Sequence, residues 1–270
     1  MNRLCRNVLA AALFLFVSCC ITQAQEPPQT SPDQQPQVAL PSPDATPADL
    51  ELRGDSLRAR KDYLDAIDYY RAAIQKNDTA ILHNKVGVSL IQLSKYPDAR
   101  REFERALKLD KEYAECHNNL GVIYYINRQY GSAVKEYKRA IKLNPDSASF
   151  HSNLGSAYFS RRDYQQATHE YAKAMEKDPS IFDPTPSGGV AVKLATQGDR
   201  AYFHYVIAKM YATKGDAEHS RLYLSKANEE GYRGVKDALK DEEFAGLRKD
   251  PAFVEFVRSL KPPPALEANN

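Results

Sequence analysis

The stretch AECHNNLGVIYY, Ala114 to Tyr125, sets a cysteine beside a histidine, with two asparagines next and a tyrosine pair behind. Read alone, it has the ingredients of a catalytic or metal site. It does not stand alone. HNKVG ends at Gly87, HNNLG at Gly121 and HSNLG at Gly155, a spacing of 34 residues each time. Behind these glycines come Tyr96, Ala99, Phe103 and Ala106; Tyr130, Ala133, Tyr137 and Ala140; and Tyr164, Ala167, Tyr171 and Ala174. An earlier copy, offset by 33, carries Gly54, Tyr63, Ala66, Tyr70 and Ala73. Four copies at one period are a repeat architecture, and that period decides the fold.

In the third copy His117, Leu120, Gly121 and Tyr124 fall at i, i+3, i+4 and i+7, one stripe of a helix. Ala133, Tyr137 and Ala140 form a stripe on a second helix, with polar turn residues from Asn127 to Tyr130 between them. Glycine and alanine let two helix backbones approach, and the tyrosines fill the space left. Asn144-Pro145 ends the second helix, because proline disfavours helical geometry before it and donates no backbone hydrogen bond. One such hairpin cannot bury its apolar stripe; stacked neighbours can, and a small rotation per unit gives a superhelix with a concave face.

This pattern resembles the tetratricopeptide repeat family. Pro145 and Pro179 fill its terminal proline position, Asp78 and Lys111 stand there in the first two copies, and Leu50, His83, His117 and His151 replace its tryptophan. The copies span 47–79, 80–113, 114–147 and 148–181. The resemblance implies an all-α fold, a right-handed α-solenoid of about five helix-turn-helix repeats. Past Ile181 the period breaks, then resumes with Ala208 in the glycine position, 53 residues after Gly155 and so 19 more than the period. A loop insertion over 182–200, containing DPTPSGG, a degenerate fifth repeat over 201–234 and a helical cap over 235–260 follow from that offset.

The ends read differently. Arg3 and Arg6 precede an apolar run from Val8 to Val17, too short for a comfortable membrane span, and Ala24 is a plausible cleavage point, so 1–24 reads as a signal peptide. Two alternatives stay open: lipidation at Cys19, or retention of the run as an anchor. Either would attach the chain to a membrane; otherwise it is periplasmic or secreted. Seven prolines between Glu26 and Pro47 make 25–46 a disordered linker, and 261–270 a similar tail. Arg3 and Arg6 account for the whole excess of bases over acids, 37 against 35. The remaining body is neutral, which argues against nucleic acid as a partner. Cleavage at Ala24 would leave Cys116 as the one cysteine, so no internal disulfide framework is expected.

The period also weighs the tempting residues. His83, His117, His151 and His204 share the fourth repeat position. Neighbouring helices lie about 8–10 Å apart, whereas zinc needs each nitrogen at about 2.0–2.1 Å, so the ladder reads as packing residues with a polar tip. Cys116 reads as a small packed residue, and Lys135 to Lys142 as the solvated side of a helix. No phosphate loop, nucleophile elbow or metal-spaced cluster is present in the sequence, so neither cofactor nor catalytic residue is expected.

In the family, the groove is lined by fixed positions of each first helix. Carried onto this sequence they are Asn84, Val88 and Ile91; Asn118, Asn119, Val122 and Tyr125; Ser152, Ser156 and Phe159; and Tyr205 with Lys209. The cationic residues of the family's carboxylate clamp are missing, and Asn119 alone matches. The resemblance thus implies a non-enzymatic scaffold whose concave groove takes a protein or an extended peptide, and the N-terminal signal implies that it is exported. Two other readings stand beside it: an oligomerising adaptor using its convex face or insertion, and an enzyme with a site between insertion and cap.

Overall fold

The computed structural model describes residues 40–182 and 197–261. The expected signal peptide, linker residues 25–39, insertion residues 183–196 and tail residues 262–270 lie outside the described residues. Among the described residues, all regular structure is helical. Five consecutive pairs pack together: α1 (Pro47–Ala59) with α2 (Tyr63–Lys76), α3 (Ala80–Gln92) with α4 (Tyr96–Leu109), α5 (Ala114–Ile126) with α6 (Tyr130–Leu143), α7 (Ala148–Ser160) with α8 (Tyr164–Lys177), and α9 (Gln197–Thr213) with α10 (Ala217–Glu229). Three short 3-10 turns, at Val235–Leu239, Glu242–Phe244 and Leu247–Lys249, lead into α11 (Pro251–Ser259). The fold is an α-solenoid of helix pairs.

The boundaries have local causes. Each hairpin turn places one residue in the left-handed region: Lys61, Ser94, Arg128 and Arg162, at φ of 68°, 58°, 58° and 63°, and Gly215 in the fifth. Around Arg128, the Gln129 N–H donates to the Tyr124 carbonyl at 2.8 Å and the Arg128 N–H to the Tyr125 carbonyl at 2.9 Å. These two bonds are a Schellman stop, which closes the last turn of α5. Residues 40–46, read from composition as disordered, are ordered into a turn closed by the Ala45 N–H on the Ser42 carbonyl at 3.2 Å. A reciprocal cap between Thr46 and Asp49 holds its end, and Lys76 Nζ reaches the Pro43 carbonyl.

Within the first four pairs the glycine stripe meets an aromatic ring. A Cβ on Gly54, Gly87, Gly121 or Gly155 would lie 2.5, 2.4, 2.6 or 2.6 Å from a ring carbon of Tyr70, Phe103, Tyr137 or Tyr171. All four rings are fully buried, as are the flanking alanines Ala66, Ala99, Ala133 and Ala167. Only hydrogen on the facing residue permits this approach. Burying each ring contributes about 1.5–3 kcal/mol.

Successive pairs stack with opposite helix directions at their junctions. Arg100, early in α4, lies 5.4 Å from the ring of Tyr124, late in α5. Ala140, late in α6, shares a buried cluster with Phe150, early in α7. The outer side of α1 is polar: Asp49, Arg53 and Ser56 are exposed there where α5 buries Cys116, Leu120 and Ile123.

The fifth pair departs from this order. Tyr202, near the start of α9, packs on Tyr164 at the start of α8, ring centroids 4.9 Å apart. Lys214, just past the end of α9, donates to the carbonyl of Met175 near the end of α8 at 3.2 Å. α9 therefore runs alongside α8 in the same direction, and the hairpin docks reversed relative to those before it. α9 also begins at Gln197, inside the 182–200 segment read as loop, with Asp199 in its first turn favouring the helix dipole. The cap is one helix and three tight turns, whose Phe244, Leu247, Phe253 and Val257 are buried in one cluster with Tyr205, Leu224 and Ala227.

Arg128 adopts a backbone conformation that costs a non-glycine residue energy. Arg128→Gly should leave the stability of the chain unchanged or raise it by up to about 1 kcal/mol in urea unfolding, whereas Arg128→Val should lower it.

Candidate functional site

The inner face is built from the first helix of each pair. On α3, Ile81, Lys85 and Val88 form a stripe at i, i+4 and i+7; Leu52 and Asp55 match it on α1, and Asn119, Val122 and Ile126 on α5. Hydrogen bonds knit the stripes together. Lys85 Nζ donates to Glu51 Oε1 and Asp55 Oδ2, each at 2.6 Å. Asn119 Nδ2 donates to Asn84 Oδ1 at 2.9 Å, and Asn153 Nδ2 to Asn118 Oδ1 at 2.8 Å. At each junction the sixth position of one repeat bonds the fifth position of the repeat before, and Lys85 also reaches the ninth, Asp55. Asn84 Nδ2 in turn donates to the Tyr113 hydroxyl at 3.2 Å.

This use of the polar groups separates the twelve residues expected along the groove. Asn84, Asn118, Val122, Tyr125, Ser156, Phe159 and Tyr205 are buried within the chain. Val88, Ile91, Asn119, Ser152 and Lys209 keep partial exposure. Tyr125, read from the sequence as facing the groove, shares a 2.7 Å hydrogen bond with Ser160 Oγ and packs on Tyr130, centroids 5.2 Å apart. Burial pushes its hydroxyl up to about 12. Phe159 is enclosed by Tyr164, Tyr202 and Phe203. The reversed docking of α9 brings those last two rings over it.

The same reversal removes Tyr205 and Lys209 from the line of the other inner residues. The Tyr205 hydroxyl donates to Asp241 at 2.8 Å, and Lys209 Nζ lies 3.0 Å from Asp241 and 2.9 Å from Glu243. Burial pulls the Lys209 ammonium down, but its bonds to Glu243 and Asp241 outweigh that and hold it above the ordinary lysine value. Both residues belong to the seat of the cap. Beside them, α8 and α9 leave a cavity of about 190 Å³ lined by Ala172, Val206, Lys209, Met210, Thr213 and Glu243.

The histidines at the fourth position are more constrained than a packing residue with one polar tip. His83, His117 and His151 are buried, and both ring nitrogens of each meet an oxygen. Their Nδ1 atoms lie 2.6, 2.7 and 2.7 Å from Glu102, Glu136 and Glu170 on the second helix of the same pair. Their Nε2 atoms face Asp78 Oδ1, the Lys111 carbonyl and the Pro145 carbonyl at 2.8, 3.0 and 3.2 Å. Arg105, Arg139 and Lys173 hold the other oxygen of each glutamate. Sequence reasoning missed these carboxylates. Their signal was available, since Glu102, Glu136 and Glu170 recur every 34 residues directly before the ring-bearing Phe103, Tyr137 and Tyr171. His204 meets instead Glu230, at the end of α10 and 3.0 Å from its Nδ1; burial lowers its pKa against the opposing pull of that carboxylate. Among the described residues, no three His, Cys, Asp or Glu side chains converge as a metal set. Cys116 is buried, its thiol donates to the Phe103 carbonyl, and burial pushes it up to about 12.

A family model for the tetratricopeptide repeat matches residues 87–128 and 123–161, across the glycine-and-ring hairpins just described. Over those residues the chain is similar to the tetratricopeptide repeat family. No curated protein matches it in sequence. Among solved structures it is similar to MamA from Desulfovibrio magneticus RS-1, at 17% identity and a TM-score of 0.49, over 70% of this chain and 95% of that one. A further MamA structure gives 23% and 0.46, over 68% and 96%. YrrB, described as a TPR protein with an unusual peptide-binding site, gives 19% and 0.45, over 74% and 91%.

In this repeat protein the second-helix ring is followed by its partner at the ninth repeat position. The Tyr70 hydroxyl donates to Asp55 at 2.8 Å and the Tyr171 hydroxyl to Ser156 at 3.2 Å, while Phe103 has no hydroxyl and Val88 stands at the ninth position of its repeat. In the third copy the ninth position is Val122, which offers no acceptor, and the buried Tyr137 hydroxyl has no hydrogen-bond partner among the described residues. A buried orphan costs stability that phenylalanine would not. Tyr137→Phe should leave the urea midpoint unchanged or raise stability by about 1 kcal/mol, and Tyr171→Phe should lower it by about 0.5–1.5 kcal/mol.

Proposed function

We propose that the chain is a non-catalytic scaffold that holds an extended segment of a partner protein against the open part of its inner face. The observation that carries this reading is the exposure of aliphatic side chains there. Leu52 is 71% exposed, Ile81 51% and Ile126 37%, and Val88 and Ile91 lie partly open among them. Aliphatic groups standing open on a repeat inner face are characteristic of a protein contact rather than of a solvated surface. The basic residues between them are already paired, Lys85 with Glu51 and Asp55, and Arg58 3.7 Å from Asp55. The partner segment is therefore apolar, and its affinity depends little on salt. Phe159 and its covering rings close the fourth repeat, so contact is confined to α1, α3 and α5. Three such helices span about 20–30 Å, the reach of roughly six to nine extended residues.

The scaffold is exported in this reading. The support is Arg3 and Arg6 ahead of the apolar run Val8 to Val17, with the choice between cleavage, lipidation at Cys19 and retention left to mass spectrometry of the N-terminus.

The test is quantitative crosslinking in an envelope extract, followed by affinity measurement with the captured partner. Ile81→Asp with Ile126→Asp should weaken binding about 10- to 100-fold, and Lys209→Ala should leave it unchanged. Equal loss in both variants, or a steep fall with added salt, contradicts the assignment.

A further inference from the structure

In the central hairpin, His117 bridges three elements. Its Nδ1 lies 2.7 Å from Glu136 Oε2 on α6, and its Nε2 lies 3.0 Å from the Lys111 carbonyl in the turn before α5. Both partners are acceptors. A carbonyl never donates, and an ionised carboxylate does not either, so both contacts are hydrogen bonds when both ring nitrogens carry hydrogen. A neutral ring keeps one proton and turns the other contact into two opposed lone pairs. The second carboxylate oxygen, Glu136 Oε1, accepts from Arg139 at 2.8 Å. Ring and carboxylate side chains are about one-tenth exposed, whereas the Arg139 side chain is 63% exposed.

We propose that His117, Glu136 and Arg139 form a pH-operated latch between α5 and α6, closed by the doubly protonated ring and loosened when it loses a proton. Asn118, the next residue, accepts from Asn153 of α7 and donates to Asn119 at 3.4 Å, and Asn119 reaches Asn84 of α3. The latch thus lies directly behind the hydrogen-bonded chain that joins three inner helices, and its opening relaxes that chain at its midpoint.

The groups acting on the ring are few. From α6, the Glu136 bond raises its pKa and Arg139 lowers it; burial lowers it; the Lys111 carbonyl raises it, with a net rise. Cys116, beside it on α5 and influenced by Glu136 and Asp110, is held up to about 12 by burial and stays a thiol. His204, on α9, shifts the opposite way because burial outweighs the pull of Glu230, 3.0 Å from its Nδ1, and serves as an internal control. A folded-state value above the unfolded one contributes stability that is complete below the unfolded value, near 6.5, and is lost as pH rises through the folded value.

The experiment is urea unfolding of the full chain at about pH 6 and about pH 9, with His117→Gln and Glu136→Gln alongside. The native midpoint should fall on raising the pH, and that fall should shrink in both variants. An undiminished fall in His117→Gln overturns the latch. Should the variants fail to fold, the carbon-bound ring protons of His117 and His204 are titrated by NMR in the native chain. A His117 midpoint above 6.5 with His204 below it supports the latch; a His117 midpoint at or below 6.5 overturns it.

Discussion

The structure depends on how closely two helices of a hairpin can approach. A ring from the second helix lies against a glycine of the first, where a methyl group would be about an ångström too near. That contact fixes the separation of the pair, and the small alanines beside the ring keep the rest of the seam equally thin. A thin hairpin leaves most of its apolar stripe outside the pair. The stripe is then covered by the next hairpin, so the stack is a consequence of the spacing within one unit.

Once stacking is forced, the inner helices lie side by side and their polar residues meet. Asparagine at neighbouring fifth and sixth positions bonds across the repeats, and lysine with two carboxylates plays that part between α1 and α3. These groups are spent on the scaffold. What remains for a partner is the aliphatic set left between them, which is why the open surface is apolar although the inner face as a whole is polar in sequence. The buried histidine–glutamate pairs tie first to second helix from behind, so α3, α5 and α7 are each fixed on two sides.

The repeat itself was legible because Gly87, Gly121 and Gly155, with the rings behind them, recur at a fixed interval that no other constraint produces. The turns at Asn127–Tyr130 were legible for the same reason. The groove was less so. Position within a repeat tells which side of a helix a residue occupies, but not that Asn118 meets Asn153 or that Tyr125 meets Ser160, pairs lying 35 residues apart. Burial of Phe159 was hidden more deeply. It follows from the direction of α9, and the period says nothing of direction once an insertion separates two hairpins. Ala208 marks the fifth pair as a hairpin of the same kind, and that part held; the way it docks is set by Tyr202, Phe203 and Phe182 meeting Tyr164 and Tyr171.

The contact between glycine and ring is tested most directly by adding one methyl group at Gly121 and, as control, at Gly131, which is helical but has open space around it. Urea unfolding of Gly121→Ala is expected to show a loss of about 1–3 kcal/mol, because the Tyr137 ring is enclosed and cannot retreat. Gly131→Ala is expected to show a gain of up to about 1 kcal/mol from helix propensity alone. Equal stability of the two variants would contradict the dependence of the stack on that single close approach.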